Sequence, residues 1–158
     1  MSTGRNSGEA PVATPLTATT QVRVLYADTD MAGVVYHANY LRFFEAARTE
    51  ALYQAGIDVA RLQADEGLVF TVSAASVSYH HPARYGDVLT IEVYPTRCGP
   101  ATLTLGYRVW RPGADTPCVT GSTTIAALDW ARQKVVRLPQ AMRERFGLGV
   151  PASAGKPA

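Results

Sequence analysis

The chain is short of the residues that build disulfide frameworks and metal sites. It has two cysteines and three histidines in 158 residues. Two cysteines make no disulfide framework, and no spacing among the histidines, cysteines and acids resembles a zinc site. Charge is sparse too, at 18% of residues with a formal net charge of +2. No cluster of lysine or arginine marks a nucleic acid or a membrane surface as partner. No apolar run is long enough to span a bilayer, and the N-terminal stretch lacks the continuous apolar core of a secretory signal. Cys98 and Cys118 are therefore expected to be free thiols in a reducing cytoplasm.

What is present is a hydrophobic fraction of 47%. At this length that supports one domain with a core, and too little for two. Residues 1–19 and 148–158 are rich in small residues and proline and are expected to be disordered tails. One domain then spans 20–147.

The hydrophobic period changes along that domain. Gln21 to Ala27 alternates in the β manner, with Val22, Val24 and Tyr26 on one side. An Asp28-Thr29-Asp30 loop with a turn at Gly33 follows. From Ala38 to Ala55 the spacing predicts a helix, with Tyr40, Leu41, Phe44, Ala47, Ala51, Leu52 and Ala55 on its apolar face. Gly56 is its natural stop. Arg48 falls inside the apolar arc, and an internal pair with Glu45 is expected to neutralise it. The rest reads as strands: Leu68–Tyr79, Val88–Thr96, Ala101–Trp110 and Cys118–Leu128, then a short helix over Pro139–Phe146. His80 and His81 read as turn residues in the Pro- and Gly-Asp-punctuated link to the second of these strands. With no strand–helix alternation, the pattern implies an α+β layout of one helix against one antiparallel sheet.

The chemistry concentrates between Tyr26 and Glu50. Two acids, Asp28 and Asp30, precede a glycine turn. The polar cluster Tyr36, His37, Asn39 comes next, and the helix starts there. A helix start offers free N–H groups to a developing oxyanion. An ionised carboxylate serves as nucleophile or as general base toward water. Together these parts suit the hydrolysis of an acyl group.

The same stretch closely resembles the 4-hydroxybenzoyl-CoA thioesterase family of hot-dog thioesterases, and most of all its Tol-Pal-associated branch. The matching elements are Asp28-Thr29-Asp30, Gly33-Val34-Val35-Tyr36-His37, Asn39-Tyr40-Leu41 and Glu45 to Glu50. A weaker match runs through Val77-Ser78-Tyr79, Pro82 and Tyr85 to Leu89. The resemblance implies a hot-dog fold, an antiparallel sheet wrapped round one long central helix. It implies acyl-CoA hydrolysis with Asp30 as the catalytic carboxylate and the His37 backbone N–H as oxyanion donor, the His37 side chain also taking part. Tyr36 and Asn39 are expected to shape the cleft, and Phe70, Thr71 and Val72 to contact the acyl group. Arg84 and Arg97 are the candidates for the CoA phosphates. No cofactor and no metal are implied, CoA being part of the substrate. The expected assembly is a homodimer with shared clefts, doubled to a homotetramer. The same fold also hosts acyl-thioester hydratases and dehydratases, and a non-catalytic acyl-CoA-binding module is a further alternative.

Overall fold

The structure, a computed structural model, describes residues 17–146. The elements run in the order β1 (Ala18–Arg23), a 3-10 turn (Tyr26–Asp28), α1 (Asn39–Gln54), α2 (Val59–Glu66), β2 (Leu68–Tyr79), β3 (Val88–Cys98), β4 (Thr102–Trp110), β5 (Val119–Asp129), β6 (Lys134–Val135) and α3 (Gln140–Arg145). One antiparallel sheet has the order β1-β3-β4-β5-β2, with β6 added to the end of β5. This is the expected α+β layout.

Alternation along the inner strands builds one side of the core. Leu89, Ile91 and Val93 of β3, then Leu103, Leu105, Tyr107 and Val109 of β4, are all buried. The helix α1 answers with Tyr40, Phe43, Phe44, Ala47, Ala51 and Leu52, three and four positions apart. Phe44 stacks flat on Tyr107, with ring centroids 4.2 Å apart and planes 8° off parallel. That contact explains Gly121 in β5: a Cβ there would fall 2.5 Å from Phe44 Cε2. The helix ends at Gly56, whose φ of +78° suits a residue without a side chain.

Five expectations from the sequence are corrected. The first strand is Ala18–Arg23 rather than Gln21–Ala27. Leu25 N–H donates to Asp28 Oδ2 at 2.7 Å, which curls the chain into the 3-10 turn. Tyr26 therefore points outward and is 84% exposed, while Val24 is buried. Ala18 and Thr19 belong to this strand, not to a tail; residues 1–16 and 147–158 lie outside the described residues. Leu41 is exposed, and Phe43 takes its place in the buried stripe of α1. Arg48 does not pair with Glu45. Its Nη1 donates to Thr123 Oγ1 of β5 at 3.4 Å, because Arg48 leans onto the sheet while Glu45 faces the outer groove with Arg42 and Glu50. The fifth is α2, absent from the sequence reading. Asp58 caps it by accepting from Arg61 N–H at 3.1 Å, and Gly67 closes it at φ +65°.

None of the helices among the described residues is long and apolar enough to cross a membrane.

Candidate functional site

The loop between the 3-10 turn and α1 is fastened at both ends by one residue. Asp28, only 7% exposed, accepts from Leu25 N–H through Oδ2 and from the Asn39 side-chain amide through Oδ1, both at 2.7 Å. Its carbonyl accepts from Tyr36 N–H at 2.8 Å. A buried carboxylate is tolerated only when it is hydrogen-bonded in this way. Midway, Val35 N–H donates to the Ala83 carbonyl at 2.9 Å, tying the loop to the link after β2.

Asp30 sits at the tip of this closed loop. Its N–H donates to the Val34 carbonyl at 2.9 Å, and Gly33 N–H donates to the Asp30 carbonyl at 2.9 Å. Gly33 adopts φ +76°, which only a residue without a Cβ takes easily. Asp30 Oδ1 accepts from Ala32 N–H at 2.8 Å. That bond orients the carboxylate and leaves Oδ2 without a hydrogen-bond donor among the described residues.

The helix start is close by. Its N-cap residue, Ala38, has no side-chain acceptor, so no side chain caps the first turn of α1. Asn39 N–H bonds back to the Tyr36 carbonyl at 2.9 Å and Leu41 N–H to the Ala38 carbonyl at 3.2 Å. The N–H of His37 has no acceptor among the described residues.

Asp30 and His37 line one cleft of about 310 Å³, together with Val34, Val35, Tyr40, Tyr79, His80, His81 and Pro82. Its floor is aromatic. Tyr40 is 2% exposed, and burial, helped by the nearby Cys118 thiol, pushes its phenol up to about 12. The Tyr79 hydroxyl donates to the His37 carbonyl at 2.7 Å.

The other expected site residues are placed differently. Tyr36 is exposed and lies against the His37 ring at 4.4 Å between centroids, outside the cleft lining. Asn39 is buried and committed to Asp28, so it fastens the loop instead of facing the cleft. Phe70 is half-buried against the core, and Thr71 and Val72 are exposed on the edge strand β2. Within one chain none of these three reaches the Asp30 cleft. Arg84 and Arg97 are exposed.

Two cleft residues escaped the sequence reading. His80 and His81 stand in the cleft wall, so all three histidines of the chain line one cavity. Both donate their N–H to the Cys118 carbonyl, at 2.9 and 3.0 Å. His80 Nε2 also meets Thr120 Oγ1 at 3.0 Å. The available signal was their position one and two residues past the end of a long strand.

Both cysteines are free thiols, and burial raises the pKa of each. Among the described residues no group of histidines, cysteines and acids is arranged to hold a metal ion.

Residues 24–146 match the thioesterase-like superfamily. The chain belongs to that superfamily. The acyl-CoA thioesterase YbgC of Haemophilus influenzae is 35% identical over 126 residues, covering 79% of this chain and 90% of the relative. A 1,4-dihydroxy-2-naphthoyl-CoA hydrolase of Thermosynechococcus vestitus is 37% identical over 95 residues, 60% of this chain and 65% of the relative. Among solved structures, a probable thioesterase from Bartonella henselae superposes with a TM-score of 0.72 at 34% identity, over 78% of this chain and all of the other (100%). A 1,4-dihydroxy-2-naphthoyl-CoA thioesterase from Synechocystis gives a TM-score of 0.76 at 23% identity, over 85% and 99% of the two chains, a likeness of fold alone. The sheet and long helix of this thioesterase-like protein are thus the hot-dog fold.

Proposed function

We propose that the chain is an acyl-CoA thioesterase, converting an acyl-CoA and water to the free acid and CoA. One observation carries the reading: a carboxylate with an undonated oxygen shares a cleft with His37, whose backbone N–H just before α1 has no acceptor among the described residues. In the proposed reaction the thioester carbonyl lies between them. Asp30 Oδ2 either takes a proton from water, whose oxygen then attacks the carbonyl carbon, or attacks directly to give an anhydride that water opens. The carbonyl oxygen becomes an anion and accepts from His37 N–H. Collapse of the tetrahedral intermediate breaks the C–S bond and expels the CoA thiolate, which takes up the proton that Asp30 removed from water or, on the anhydride route, the proton released when water opens the anhydride. The His37 imidazole, in the same lining, offers the thioester a further polar contact. The steps need only substrate and water, with no cofactor. The names of the relatives that match over most of the chain support the same reaction.

The long edge strand β2 supports a homodimer reading. It presents 12 residues whose outer edge is unpaired among the described residues, and such an edge invites a second copy. Pairing there would bring Phe70, Thr71 and Val72 to the subunit boundary, where they serve as acyl contacts. Two such dimers make the tetramer. Light scattering should give two or four times the 17.0 kDa chain mass; a monomer at micromolar concentration would contradict this. The Asp-Thr-Asp to His run favours the Tol-Pal-associated branch, and CoA as substrate favours the cytoplasm.

The direct test is thiol release across aryl- and alkyl-CoA esters, followed by trapping with a chromogenic disulfide. Turnover of at least one class is expected. Tight binding with no release from any ester would replace the enzyme by a binding module.

A further inference from the structure

His37 lies between two peptide groups, each fixed from outside. The Tyr36 carbonyl accepts from Asn39 N–H at 2.9 Å, and the His37 carbonyl accepts from the Tyr79 hydroxyl at 2.7 Å. A trans peptide sets its N–H opposite its C=O, and there is no cis bond among the described residues. The first bond therefore turns His37 N–H away from the helix body, and the second turns Ala38 N–H away from Tyr79. The His37 carbonyl precedes the N-cap, so the helical ladder has no N–H for it. Its partner comes from the last residue of β2, 42 positions along the chain.

We infer that Tyr79 is a positioning residue for the oxyanion site, its hydroxyl engaging the His37 carbonyl so that the cleft offers the substrate the free His37 N–H and no unbonded carbonyl oxygen beside it. The inference rests on the hydrolase reading above. Without the phenol, the peptide between His37 and Ala38 is free to rotate its oxygen into the cleft. A carbonyl dipole there repels the oxyanion and cancels part of what the neighbouring N–H provides. The Tyr79 ring is itself held. It meets the Tyr40 ring edge-on at 5.8 Å and the His37 ring at 6.5 Å. Tyr40 is buried, so the core sets the position of the hydroxyl through one aromatic contact.

Tyr79→Phe keeps those ring contacts and removes only the tether. The effect belongs to the transition state, where charge is on the oxygen, so it falls on kcat. The expected loss is about tenfold in kcat, from the typical worth of one hydrogen bond, with KM within about twofold of wild type. The Ala38 backbone amide resonance should shift in a ¹H–¹⁵N spectrum. An unchanged kcat overturns the positioning role, and so does a raised KM with kcat retained, which would make Tyr79 a binding contact. A thermal midpoint lowered by more than about 5 °C with unchanged kcat in the folded fraction also overturns it, as a purely structural role. If the wild-type protein releases no thiol from any ester, the hydrolase reading falls and takes this inference with it. Release by wild type matched by Tyr79→Phe removes only the tether.

Discussion

The carboxylate of Asp28 and the side-chain amide of Asn39 meet at 2.7 Å in the buried base of the loop that carries Asp30. The pair closes the segment that carries Asp30 and delivers it to the start of α1. It is structural, and it explains why two acids so close in sequence differ so much in exposure: Asp28 is buried and Asp30 exposed.

Removing that bond should loosen the loop. Asn39→Ala leaves one Asp28 oxygen buried without its donor, which typically costs about 1–3 kcal/mol. Urea denaturation should show that loss, and kcat should fall as Asp30 and the helix start drift apart. Wild-type stability in Asn39→Ala would mean that water replaces the amide without cost.

Gly121 is predicted to be intolerant of any side chain. Its added Cβ would lie 2.5 Å from Phe44 Cε2 and 2.6 Å from the Ser76 carbonyl oxygen. Gly121→Ala should lose about 1–3 kcal/mol by overpacking. Gly106→Ala makes a useful contrast. Its Cβ meets the Tyr94 ring at 2.6 Å, but that ring is half-buried on the sheet and can swing aside. A smaller loss at Gly106 than at Gly121, read from denaturant midpoints, is the expected result; the reverse order would mean that Phe44 moves freely.

Stability in the alkaline range should depend on Tyr40. Burial, with a lesser push from Cys118, raises its pKa from 10.0 to about 12 in the folded chain. Between those pH values the unfolded chain holds fewer protons than the folded one, so stability falls as pH rises. The contribution is complete below pH 10 and gone above about pH 12. It amounts to something on the order of 2 kcal/mol. Tyr40→Phe cannot titrate, so the gap between the two proteins should shrink across that window. Parallel loss in both would assign the alkaline instability elsewhere.

The strands β3, β4 and β5 and the helix α1 were legible because each carries an apolar period and a Gly, Pro or Gly-Asp boundary, whereas β2 was legible from its richness in Val, Ser and Ala and has no alternating burial. Asp30 and His37 were legible as candidates because a turn and a helix start flank them within a few residues. The helix α2 was not, since it is only eight residues long, none of them is fully buried, and only Val59 and Leu62 pack against the core. The two residues of β6 are too few for any period. Arg48 illustrates the deeper limit: its partner, Thr123, is 75 positions away, while the local partner Glu45 was nearer in sequence but on another face. His80 and His81 reach the cleft for the same reason, through strand pairing that no local window contains.

The central claim is that the exposed carboxylate at the loop tip drives the chemistry. Asp30→Asn keeps an oxygen for Ala32 N–H, so the turn and the fold should persist, with a denaturation midpoint close to wild type. Steady-state thiol release from the best ester of the panel should drop by about 100-fold or more, as expected when a general base or nucleophile is lost. Folded Asp30→Asn protein turning over at the wild-type rate would contradict the account.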